Sequence, residues 1–153
     1  MTPPIDTAYR MIAKAIRNQL ITSPDLVALI TQVATKPSDF VGIKIFLGAA
    51  PGNANLPYIR FHHVYGGEPT KAPSREIDQL WMVTTVAFDQ PIAMDIDAYA
   101  QSLLLGKRLA FTNGWQSWAD LTKNGEYYNV TNIQGQEAWE IGAYYRIRGV
   151  KGT

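Results

Sequence analysis

The run Glu76-Ile-Asp-Gln-Leu-Trp-Met-Val-Thr-Thr-Val-Ala-Phe88 decides the fold. At a period of two, one face holds Ile77, Gln79, Trp81, Val83, Thr85 and Ala87. The other holds Asp78, Leu80, Met82, Thr84, Val86 and Phe88. β-Branched and aromatic residues dominate, so the pattern predicts a long strand. Towards Phe88 both faces are apolar. That predicts burial on two sides, one by the domain's own helices and one by something else.

Two strands are predicted upstream. Ile43-Lys-Ile-Phe-Leu47 is a short one, followed by the small-residue loop Gly48 to Asn55. Pro57 opens the second, Tyr58 to Tyr65, at a position where its missing N–H costs little. Gly66 to Arg75 carries two Gly, two Pro and several charges and reads as an exposed loop. Downstream, Glu126–Ile133 and Ala138–Arg148 form a hairpin with Gln134-Gly135 near the turn. In its last strand Trp139, Ile141, Ala143, Tyr145 and Ile147 share one face, and Glu140, Tyr144, Arg146 and Arg148 the other.

Helices flank these strands. Residues 5–21 carry Ile5, Tyr9, Ile12, Ala13, Ile16 and Leu20 at helical spacing. Ser23-Pro24-Asp25 starts a second helix, with Ser23 as cap and Asp25 at the positive end of the dipole. Leu26, Val27, Leu29, Ile30 and Val33 are its expected buried face. Gln90-Pro91 opens a third helix running to about Ala110, with Ile92, Ile96, Tyr99, Leu103 and Leu104 as its stripe and Gly106 as a weak point. Residues 111–124 read as irregular. The expected fold is α+β: one domain, 1–153, with a twisted antiparallel (mixed) sheet of about four to five strands and helices on one face.

Composition narrows the functions. A chain of 153 residues supports one core without staples. There is no cysteine, which excludes disulfides, thiolate metal sites and a cysteine nucleophile. The net charge is +1 and no basic stripe stands out, so phosphate-driven nucleic-acid binding is not indicated. No apolar run is long enough to span a membrane, and Met-Thr-Pro-Pro-Ile-Asp, with no basic or apolar stretch, is not expected to act as a signal peptide.

The candidate chemistry is thin. His62 and His63 are strand neighbours and point to opposite faces, so they do not converge on a metal. Asp95 and Asp97 do not face each other, and a place near a helix start accounts for them. Glu126, Glu137 and Glu140 show no glycosidase-like motif. Gly48-Ala-Ala-Pro-Gly52 lacks the lysine and hydroxyl of a phosphate loop. The expectation is therefore no catalytic residue, no metal and no cofactor. Two segments suit contacts instead. One is the charged loop with Glu68, Lys71 and Arg75; the other holds Trp115 and Trp118, either folded onto the core or anchoring a subunit contact.

In this order the elements resemble the tail-completion, or tail-terminator (tail-to-head joining), proteins of long-tailed bacteriophages. The matching pieces are Leu26-Val-Ala-Leu-Ile30, then Ile43-Lys-Ile-Phe-Leu-Gly48 with Ala50-Pro51 close behind, then Leu56-Pro-Tyr-Ile-Arg60. The long strand near Trp81–Phe88, the helix at 92–110 and the closing strands complete the pattern. Segment 111–124 and the N-terminal helical region are longer than the family's pattern. The resemblance implies a non-enzymatic virion protein of the tail-neck region, assembled in the host cytoplasm. It implies a homo-oligomeric ring, commonly a hexamer. The ring's partners would be the tail tube protein and a head-connector or neck protein, with DNA passing through the lumen unbound. Another neck or tail-tube component is the near alternative. A small-ligand binding module or unrecognised hydrolase, with Tyr127, Tyr128, Tyr144 and Tyr145 lining a pocket, is the distant one.

Overall fold

The computed structural model describes residues 8–66, 76–112 and 114–151. Glu68, Lys71, Arg75 and Ile5 lie outside the described residues. In chain order the elements are α1 (Ala8–Leu20), α2 (Pro24–Ile30), β1 (Thr31–Gln32), β2 (Gly42–Ile43), β3 (Ile45–Leu47), β4 (Tyr58–Tyr65) and β5 (Glu76–Ala87). After these come α3 (Gln90–Leu104), β6 (Trp115–Ser117), β7 (Thr122–Ile133) and β8 (Gln136–Lys151).

The fold is α+β, a curled mixed sheet with helices. β5 is its centre and pairs antiparallel with β4 on one side and β8 on the other. β3 extends the sheet beyond β4 and runs parallel to it. β7 and then β6 occupy successive stretches of the outer edge of β8. β1 and β2 form a separate short ladder. The β7–β8 turn places Gln134 and Gly135 at φ 54° and 80°, the two left-handed residues a tight hairpin needs.

The main core lies between one sheet face and the helices. Ile59, Phe61, Ile77, Trp81, Val83, Ala143, Tyr145 and Ile147 pack there against Ile12, Ile16, Leu20, Leu26, Ile30, Ile96 and Leu104. Ser23 caps α2, its hydroxyl accepting from the Leu26 N–H at 3.2 Å. The buried face of α2 is narrower than its sequence predicts: Leu26 and Ile30 are buried, whereas Leu29 and Val33 are exposed. Asp89 caps α3, accepting from the Ile92 N–H.

Three expectations about the second half are corrected. α3 ends at Leu104, and Gly106 is its exit rather than a flaw within it. Gly106 takes φ +74° and donates its N–H to the Leu121 carbonyl, while the Leu105 N–H closes the last turn on Gln101 at 2.8 Å. The inward stripe of α3 is Ala93, Ile96, Asp97, Ala100 and Leu104, so Ile92 and Tyr99 face outward. Residues 111–124 are not wholly irregular, because β6 and the start of β7 fall within them.

β5 is buried on both faces from Trp81 to Ala87. The chain itself supplies the second cover. Tyr58, Val86 and Ala138 form a small second core, closed by Phe46, Ala50, Leu56 and Ile133. The segment that brings Ala50 and Leu56 there is tied down by buried polar groups. Gln32 accepts from the Asn55 N–H at 2.7 Å and donates to the Asn53 carbonyl, and Lys44 Nζ donates to the Asn55 carbonyl at 2.7 Å. A buried amide and ammonium with all these partners fix a loop that its small residues alone leave free.

Candidate interaction surfaces

The sequence proposed two contact segments, and the structure describes one of them. Trp115 begins β6 opposite Lys151 and packs, partly buried, against the main core. Trp118 leaves the strand and is 49% exposed. The Arg148 guanidinium lies 4.8 Å from the centre of the Trp118 ring, a cation–π arrangement that holds the indole on the surface. The two tryptophans thus divide the two readings: Trp115 folds back onto the core and Trp118 stays presented. Lys151 Nζ stands farther from the Trp115 ring, at 6.0 Å.

The histidines face opposite sides of the sheet. His63 meets Trp81 edge-on at 5.7 Å and Tyr9 at 4.5 Å, and its Nε2 contacts the Gly66 carbonyl. His62 sits beside Met82 on the second face. Burial, and then the neighbouring Arg60 charge, lowers its pKa. Among the described residues no His, Asp or Glu cluster could hold a metal ion.

The charges that alternation places on the second face are joined in pairs, which the sequence did not reveal. Arg60 of β4 reaches across β5 and donates to Glu140 of β8 at 2.6 Å, with Glu140 nearly buried. Near the other end, Arg146 grips Asp78 with two bonds of 2.8 and 2.6 Å. That grip holds the Asp78 carboxyl below its ordinary range.

α3 separates two clefts. One, of about 580 Å³, is lined by Leu29, Ile92, Asp95, Tyr99 and Ser102. The other, of about 520 Å³, lies between α3 and the β7–β8 hairpin, with Met94, Asp97, Gln101, Glu126, Tyr127 and Tyr128 on its walls. Asp97 is inside, not at a solvated helix start. Burial pushes its carboxyl above the usual range, opposed by a 2.7 Å hydrogen bond from Gln101 Nε2. Beneath the cleft Tyr145 is fully buried, and its hydroxyl has no partner among the described residues. Burial, and then the Asp97 charge, drives that hydroxyl well above its ordinary pKa. The signal for Asp97 was present in the spacing Ala93, Asp97, Ala100, Leu104, which puts the acid on the stripe of small residues.

A third groove, of about 360 Å³, lies at the other side of the molecule, where α1 meets β3. Lys14, Arg17, Leu47, Ala49 and Pro51 line it above Phe61. No described helix is long and apolar enough to cross a membrane.

No protein-family model matches the chain. No curated protein matches it either. Among solved structures, it is similar to a chain of the structure described as "Virion of native gene transfer agent (GTA) particle". The two share 16% identity at a TM-score of 0.65, over 93% of this chain and 96% of the other. A likeness that spans both chains almost end to end at so low an identity is a likeness of fold, and the α+β architecture described above is that shared fold.

Proposed function

We propose that this protein is a structural, non-catalytic component of a phage-like virion. Its place there is the end of the tail tube, where a homo-oligomeric ring, a hexamer, stops the tube and presents the tail side of the head–tail joint. The observation that carries this reading is the end-to-end likeness to a chain from a virion particle. The element order that resembles tail-terminator proteins supports the finer role. The tail tube protein and a neck protein are the partners, and DNA crosses the lumen without being gripped, in keeping with a net charge of +1. Glu68, Lys71, Arg75 and the exposed Trp118 are the proposed contacts, with Trp115 supporting the segment that presents Trp118.

Electron microscopy of particles lacking the protein tests the role. Overlong tails, or tails not joined to heads, support a terminator. Missing tails indicate a tube protein instead, and normal joined particles overturn both. The mass of the purified protein, alone and with tail tubes, tests the ring.

One observation favours a second reading, a small-ligand module. The cleft beside Asp97, walled by Tyr127 and Tyr128, is large enough for a small molecule. A thermal-shift screen that finds a small molecule stabilising the monomer supports that reading over the first.

A further inference from the structure

We propose that successive copies of this chain dock head to tail. The outward ridge of α3 in one copy, Ile92, Met94, Asp95 and Tyr99, seats in the groove between α1 and β3 of the next. This rests on the ring reading above and names the surfaces that build the ring.

Apolar exposure marks both surfaces. Met94 is 54% and Ile92 45% exposed on the ridge, and Leu47 is 59% exposed at the groove. Methionine and aromatic side chains presented in this way are typical of an interface centre. Charge then makes each surface fit the other and not itself. Asp95 puts an acid on the ridge itself, and the clefts beside it add the buried Asp97 and a Glu126 that Lys123 pairs at 2.7 Å. Arg17 lines the groove and supplies the opposite charge. Apposing two grooves or two ridges sets like charges together, which disfavours a two-fold pairing through either surface.

Placement supplies the rest. The groove sits at the β3 edge of the sheet, whereas α3 packs on β5 and β8 towards the β7 edge. One copy can therefore engage two neighbours at once through surfaces that do not overlap. A contact of this heterologous kind closes into a ring when its rotation divides the circle.

The absence of cysteine allows a direct test. Leu47→Cys and Met94→Cys are combined in one full-length chain and treated with a short bismaleimide linker. The expected product is a ladder of covalent oligomers ending at the closed ring, with neither single variant giving a linked species. A dimer from Met94→Cys alone reveals a two-fold contact and overturns the proposal. A ring that forms but stays unlinked also overturns it, leaving the ring itself standing. A chain that is monomeric at every concentration, with and without tail tubes, overturns both. Charge reversal is the second measurement. Arg17→Glu and Asp95→Lys each weaken association about tenfold, and together they restore it. Arg17→Glu assembling like the parent overturns the docking.

Discussion

Arg60 and Glu140 meet at 2.6 Å although they stand on strands that do not touch, β4 and β8, with β5 between them. The register explains it. Arg60 lies beside Thr84 and Glu140 beside Val86, so the guanidinium crosses β5 over two neighbouring buried residues. The pair clamps three strands together on the face the helices leave uncovered.

Glu140→Ala strands the Arg60 charge in a half-buried place. We expect a loss of about 2 kcal/mol in urea unfolding, the scale of a hydrogen bond to a charged group. The double variant Arg60→Met with Glu140→Leu should recover most of that loss, because an apolar pair of similar size needs no partner. If the double variant is as unstable as the single, the pair is not what holds the strands.

Gly142 is where β5 and β8 approach too closely for a side chain. A Cβ there would stand 2.2 Å from the Val83 carbonyl oxygen and 2.8 Å from the Thr84 Cα. Both neighbours are backbone, so the strands must separate to admit a methyl group. Gly142→Ala should lower stability by about 3 kcal/mol. Gly135→Ala is the comparison: nothing lies within 4 Å of its Cβ, and only its φ of +80° opposes the change. It should cost about 1 kcal/mol. Equal losses at the two sites would contradict the close approach.

Asp97 sets a pH dependence of unusual sign for a carboxylate. Burial raises its folded pKa, so the folded chain keeps a proton that the unfolded chain has already released. Stability therefore falls as pH rises from the ordinary carboxylate range through that raised value, and then levels off. Asp97→Asn should remove the slope and stabilise the chain near neutral pH. Asp78 slopes the other way, since its bond from Arg146 lowers its pKa, but that pair is exposed and contributes little. Urea unfolding of parent and variant between roughly pH 4 and 7 decides the matter. Parallel curves would rule out Asp97 as the source.

Trp115 and Trp118 should separate folding from assembly. Trp115→Ala removes a ring packed on the core and should cost about 2 kcal/mol of monomer stability. Trp118→Ala removes an exposed ring held by Arg148 and should cost about 0.5 kcal/mol. On the proposed function, Trp118→Ala nonetheless impairs joining of tails to heads. Normal particles from that variant would remove Trp118 from the contact surface.

Much of this was legible along the chain. Tyr58–Tyr65 is the strand its sequence predicts, and β5 runs over the expected residues to within one. Ser23 caps α2 because a hydroxyl before a proline and an acid is a local instruction. The stripe of α3 differs from the expected one for an equally local reason. That helix has two adjoining apolar faces, with Ile92, Ile96, Tyr99 and Leu103 on one and Ala93, Ala100 and Leu104 on the other. Periodicity alone cannot choose between them. Packed against the sheet, the helix turns its small residues inward, where Ala93 and Ala100 allow close approach, and Asp97 goes with them.

By itself, then, the sequence determined the elements, their caps and the two-faced burial of β5, because alternation, capping and turn chemistry act over a few residues. Only the tertiary structure decided that β3 joins β4 in parallel, that Arg60 finds Glu140 80 residues away, and that the chain's own loop covers Val86. Those depend on register between distant strands, which no short window of sequence encodes.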